Sequence, residues 1–144
     1  MGIELAIADA CRTADVSYDD LALTIAAGSY PCLPGATPGS PRTFDETDLL
    51  ALYVYGRLLA FGFGALHAGE YACRVHYALR ANLDAKSVAI ILTPHGGKRV
   101  VVEREPPPSS RPARAEKIEF NIPTIQQLLN KRVEHRCAEH THNQ

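Results

Sequence analysis

The chain has 144 residues, 46% of them apolar and 22% charged, which is the balance of one ordinary domain, or one domain with an appendage, able to bury a core. No apolar run approaches the length of a bilayer span, and "MGIELAIADACR" opens on an acid rather than a basic region, so neither a membrane segment nor a secretion signal is expected. The net charge of −1 hides a division: residues 1–80 hold five arginines against nine acids, while residues 81–144 hold ten bases against seven acids, so any grip on a polyanion must come from placement rather than bulk charge.

In chain order, "IELAIADACR" sets Ile3, Ile7 and Cys11 at helical spacing and predicts a first helix over 3–12. "TADV" reads as a turn. Ser17 and Asp20 then form an S-x-x-D capping box, which starts a second helix near Tyr18 with Leu21, Ile25 and Leu23 inward and Gly28 as its end. The expectation is two short helices joined by a tight turn. Pro31, Pro34, Pro38 and Pro41 exclude helix and central strand over 28–42, and Gly35 and Gly39 permit reversals. Tyr30 and Leu33 inside that stretch point to an ordered loop rather than a linker.

Thr43 and Glu46 make a second capping box, opening a third helix at Phe44 or Asp45 with Leu49, Leu52, Tyr53, Gly56 and Leu59 on its buried face. "FGFG" at 61–64 stops it. A fourth helix follows from about 65 to 83, with Leu66, Ala72, Val75 and Leu79 inward. The period then changes: "KSVAIIL" and "KRVVVER", separated by "TPHGG", read as a β-hairpin, and "KIEFNI" as a third strand. "PPPSSRPAR" at 106–114 reads as a flexible excursion, "PTIQQLLNKRV" as a final amphipathic helix, and 137–144 as a disordered tail. Cys11, Cys32, Cys73 and Cys137 are scattered without a CxxC pair, and the expectation is that they are reduced.

The order helix, turn, helix, stiff loop, helix, helix resembles a winged helix-turn-helix of the mercury-regulator (MerR) type. The residues that carry the resemblance are Arg42, Thr43, Phe44, Asp45, Glu46 and Asp48, matching an arginine, a spacer, an aromatic and then helix-opening acids, and "LLAFGFGAL", with Phe61, Gly62 and Phe63 on the turn. It covers roughly residues 1–80 and is similar to divergent phage or mobile-element regulators. It implies that the 28–42 loop is a wing, that Arg42 clamps a phosphate and that helix 18–27 enters the major groove. Ser17, Tyr18, Thr24 and Tyr30 are then candidate base or backbone contacts, with Ser40 and Arg12 completing the DNA-binding set. The family's long dimer helix is missing, so the hairpin and final helix stand as the self-association surface.

Each assignment has a plainer counterpart. Arg42 reads alternatively as an ion pair with Asp45 or Glu46 that fixes the loop, and Tyr30 as a packing residue. Arg111, Arg114 and Lys117 make either a nucleic-acid patch or a solvated loop. His135, Cys137, His140 and His142 have zinc-binding side chains, but at irregular spacing. Cys73 and His76 lie three apart with no acid at helical spacing to orient the histidine, and no P-loop, GxGxxG or HExxH is present, so no enzyme, metal or cofactor is expected. The reading is an α+β fold: a winged helix-turn-helix over 1–82 and a β-hairpin, strand and helix module over 86–136. The expected function is a cytoplasmic homodimer binding double-stranded DNA as a transcriptional regulator, most simply a repressor. The alternative is a protein-interaction module with a degenerate helix-turn-helix that binds another regulator, RNA polymerase or a toxin partner. The acidic helix 18–27, without lysine or arginine, favours that alternative.

Overall fold

The structure is a computed structural model that describes residues 2–36, 38–92, 98–103 and 116–142. In chain order these form β1 (Leu5–Ala6), α1 (Ile7–Ala14), α2 (Tyr18–Ala26), β2 (Thr43–Phe44), α3 (Glu46–Ala60), α4 (Ala65–Ala81), β3 (Ser87–Leu92), β4 (Lys98–Glu103), β5 (Lys117–Asn121) and α5 (Ile122–His142). The result is a small α+β domain, with β1–β2 as one antiparallel sheet and β4-β3-β5 as the other. Helix α3 sits at the centre. Its Leu49, Leu50, Leu52, Val54, Tyr55 and Leu58 are all buried, so more than one face meets the core.

The predicted helix over 3–12 is corrected at its start. Leu5 and Ala6 are extended and pair with Phe44 and Thr43, and the helix begins only at Ile7. The pairing satisfies backbone groups on both segments and seats Phe44 in the core, fully buried. The same pairing moves the cap of α3. Thr43 belongs to β2, and the capping box is made by Asp45 and Asp48, each side chain accepting from the other's backbone N–H, at 2.9 and 3.0 Å. Leu23 and Leu66, expected inward, are exposed.

The predicted hairpin is present. Ser87 to Leu92 of β3 pair with Glu103 to Lys98 of β4, and the third strand pairs with β3 on its other side, Ser87 against Asn121 through Ile91 against Lys117. The "TPHGG" turn and the 106–114 excursion, including Arg111 and Arg114, lie outside the described residues. Val88, Ile90 and Phe120 are buried and join residues of α1, α3, α4 and α5 in one core cluster. The Asn121 side chain accepts from the Thr124 N–H at 3.0 Å, and Pro123 occupies the first turn of α5, where its missing donor costs nothing. Helix α5 continues to His142, beyond the end expected near 136; the side chains of Cys137, His140 and His142 lie outside the described residues. No described helix is long and apolar enough to cross a membrane.

Candidate nucleic-acid interface

Helices α1 and α2 are joined by a turn at Asp15, which takes a left-handed conformation (φ 59°) that aspartate tolerates better than most residues. The turn closes with the Val16 N–H donating to the Cys11 carbonyl at 2.8 Å. It packs tightly on α3: a Cβ on Gly56 would come within 2.8 Å of Val16 Cγ2. Ser17 caps α2, accepting from the Asp20 N–H at 3.3 Å. Its hydroxyl oxygen accepts at the helix start, while its O–H donor stays on an exposed residue.

The exposed residues of α2 include Tyr18 (51%) and Leu23 (71%), together with Asp19 and Asp20. Thr24 faces the other way. It is fully buried, donates to the Asp20 carbonyl at 3.0 Å and lies 2.8 Å from Tyr55 Oη. Burial raises the Tyr55 hydroxyl above its ordinary value. Tyr30 is buried as well, its ring edge-on to Tyr55 at 5.6 Å between centroids, and burial raises its hydroxyl too. Thr24 and Tyr30 thus anchor the loop and α2 from inside, and neither offers a surface to a groove. Helical spacing could have placed Thr24 inward, because it lies three residues after the buried Leu21 on the same face of α2.

Among the described residues the 28–42 loop forms no extended strand, only an isolated β-bridge at Ser40, yet it is fastened at several points. The Ser29 N–H donates to the Thr24 carbonyl at 3.1 Å, and the Ser29 carbonyl sits so close over α4 that a Cβ on Gly69 would lie 2.4 Å from it. Cys32 and Cys73 form a disulfide, which corrects the expectation of reduced cysteines for this pair. The two are 41 residues apart, a partnership invisible to spacing rules. Cys11 is free and buried, and burial pushes its thiol up to about 11.

At the root of the loop, Arg42 Nε donates to the Pro34 carbonyl at 2.6 Å. No carboxylate pairs with Arg42 among the described residues; Asp45 is taken instead by Arg80 at 2.7 Å. The ion-pair alternative for Arg42 is therefore replaced by a backbone contact that uses Nε. Gly39 (φ 80°) turns the chain beside Ser40, which is exposed. Arg12 is exposed at the end of α1 and pairs with Asp9. Two further cations were not anticipated here. Arg132 of α5 donates to the Thr13 carbonyl at 2.8 Å and Arg136 to the Asp9 carbonyl at 3.3 Å, so α5 lays basic side chains along α1 beside Arg12.

The pairing of Cys73 with His76 as nucleophile and base is not available in this state, because Cys73 is a disulfide sulfur. The acid that sequence spacing lacked is nevertheless present: His76 Nε2 lies 2.8 Å from Asp48 Oδ1, delivered by α3. No cluster of three or more histidine, cysteine or acidic side chains fit to hold a metal occurs among the described residues. Comparison with known proteins adds no relative. Neither a protein-family model nor a curated protein matches the chain.

Proposed function

We propose that this chain is a DNA-binding transcriptional regulator acting as a homodimer on a short operator, as a repressor by occupancy. The observation that carries the reading is the pinned loop with Arg42 at its root, set behind two short helices joined by the Asp15 turn. Arg42 keeps its terminal guanidinium nitrogens for a phosphate while Nε holds Pro34, which lowers the entropy lost on docking. Ser40 and Arg12 extend that surface, and Tyr18 is the exposed aromatic of the groove-facing helix. Arg132 and Arg136 supply positive potential that the acidic α2 lacks. The outer strands β4 and β5, each paired only with β3 among the described residues, suit self-association across a two-fold axis.

A second reading keeps the same surface but changes the partner. Tyr18 and Leu23 stand exposed on either side of Asp19 and Asp20 along α2, which carries no cation, a composition that fits a protein surface better than a phosphate backbone. Binding of the protein to fluorescent DNA covering its own upstream region, at two salt concentrations, separates the two. A regulator binds saturably and more weakly at high salt, and Arg42→Gln, which retains a donor for Pro34, lowers the salt slope by about 1 per protomer. Absence of binding at low salt by folded, dimeric protein rejects the DNA reading.

A further inference from the structure

The covalent joint between the loop and α4 has no part in the function proposed above. Cys73 lies in the middle of α4 and is 1% exposed; Cys32, in the loop, is 8% exposed. The Cys32 N–H donates to Cys73 Sγ at 3.2 Å. Two residues further on, Pro34 offers the carbonyl that holds Arg42 Nε. A continuous path therefore runs from α4 through Cys73, Cys32 and Pro34 to the guanidinium of Arg42.

The noncovalent part of this joint is imperfect. Tyr30 Oη, two residues before Cys32, is buried without a hydrogen-bond partner among the described residues. Orphaned polar atoms count against burial, so the loop gains less from seating on α4 than its apolar contacts suggest.

We infer that Cys32 and Cys73 are a reversible redox pair that fixes the loop, and Arg42 with it, when oxidised and releases it when reduced by a small dithiol. The inference rests on the proposed DNA-binding role of the loop. The step is a two-electron thiol–disulfide exchange. A thiolate of the dithiol attacks Cys32 Sγ, on the less buried residue of the pair, and the Cys32–Cys73 bond breaks. Cys73 leaves as a thiolate beside the Cys32 N–H that already points at it, and then takes up a proton. The second sulfur of the dithiol attacks the mixed disulfide, freeing Cys32 as a thiol and leaving the reagent as a cyclic disulfide. Cys11 does not compete, because its burial keeps it protonated.

The test equilibrates the full chain against graded mixtures of reduced and oxidised dithiothreitol under native conditions. Alkylation of the Cys32 and Cys73 peptides, read by mass, gives the redox state. Trypsin cleavage after Arg42 reports loop release without DNA, and affinity for the upstream DNA is measured in the same mixtures. The expected result is that cleavage rises and affinity falls, each by about tenfold, as the pair is reduced, and that both return on reoxidation. Cys32→Ser matches the reduced protein in every mixture; circular dichroism of the reduced wild type keeps the test valid if that variant does not fold. A pair that resists reduction until the protein is denatured, or a loop equally resistant to trypsin in both states, overturns the inference. Redox-dependent cleavage with no DNA binding in either state supports the redox pair and rejects the proposed function instead.

Discussion

His76 Nε2 lies 2.8 Å from Asp48 Oδ1, joining α4 to the first turn of α3 where both side chains are shielded from solvent. Asp48 also accepts from the Asp45 N–H as half of the capping box, and Arg80 reaches it at 3.2 Å. One carboxylate thus serves a helix cap, a buried ring and a guanidinium together. Replacing it by asparagine keeps the shape but removes the charge that all three face. Asp48→Asn is expected to lower unfolding free energy by about 3 kcal/mol, measured by urea denaturation at neutral pH.

The acid limb of stability follows from the same group. Burial by itself raises the Asp48 carboxyl; the hydrogen bond from His76, those from Asp45 and the field of His76 outweigh it and hold the group below the usual carboxylate range. A group depressed on folding contributes stability that is complete above its ordinary value and lost as pH falls through its folded value. Wild type should therefore weaken progressively as pH falls below about 4, the ordinary carboxylate value. Asp48→Asn should show a flatter decline over that interval, and an unchanged slope would assign the acid sensitivity to other carboxylates.

Thr24 and Tyr55 provide a test of whether α2 is read from its inner or its outer face. Thr24→Val removes the hydroxyl that Tyr55 Oη meets, at a cost of about 1 kcal/mol, while leaving the volume nearly constant. Because Thr24 is buried, affinity for DNA per folded molecule should not change. Tyr18→Ala should do the reverse, changing partner affinity with little effect on the melting temperature.

Two glycines on neighbouring helices should respond differently to the same methyl group. At Gly69 a Cβ meets the Ser29 carbonyl at 2.4 Å, a backbone atom that the disulfide and Tyr30 hold in place; Gly69→Ala is expected to cost about 2–3 kcal/mol. At Gly56 the nearest atom is a methyl of Val16, at 2.8 Å, which a rotamer change can move. Gly56→Ala should cost less than about 1 kcal/mol, since alanine's helix propensity offsets part of the clash. Thermal denaturation of the two variants side by side reads the difference.

Reduction of Cys32–Cys73 should also register as lost stability. Closing a span of 41 residues restricts the unfolded chain, and the chain-entropy account puts that at about 4 kcal/mol. Urea midpoints with and without a phosphine reductant measure it. A much smaller loss would mean that the loop–α4 interface persists without the bond.

Much of the local structure was legible in the sequence because its causes are local. The Ser17 cap, the turn after α1, the "FGFG" stop, the hairpin and the Asn121–Pro123 helix start each depend on residues within a few positions of one another. What was not legible depends on partners far along the chain. Leu5 and Ala6 carry a helical pattern, but Phe44 makes them a strand. Thr43 has the chemistry of a cap and is outbid by Asp45 because β2 claims it. Among the candidate contacts, Tyr18, Ser40, Arg12 and Arg42 reach the surface, whereas Thr24 and Tyr30 are consumed by Tyr55. The Cys32–Cys73 bond and the Asp48–His76 contact have no signature in spacing at all.

Arg132 closes the circuit of the chain. Its hydrogen bond to the Thr13 carbonyl spans 119 residues and satisfies one carbonyl at the negative end of α1, well upstream of α5 in the sequence. During translation the Thr13 carbonyl therefore waits for this partner until α5 is made. The end of α1 is completed only late, and anything that delays α5 leaves that carbonyl without the bond. Folding here has the character of a latch: made early, secured late.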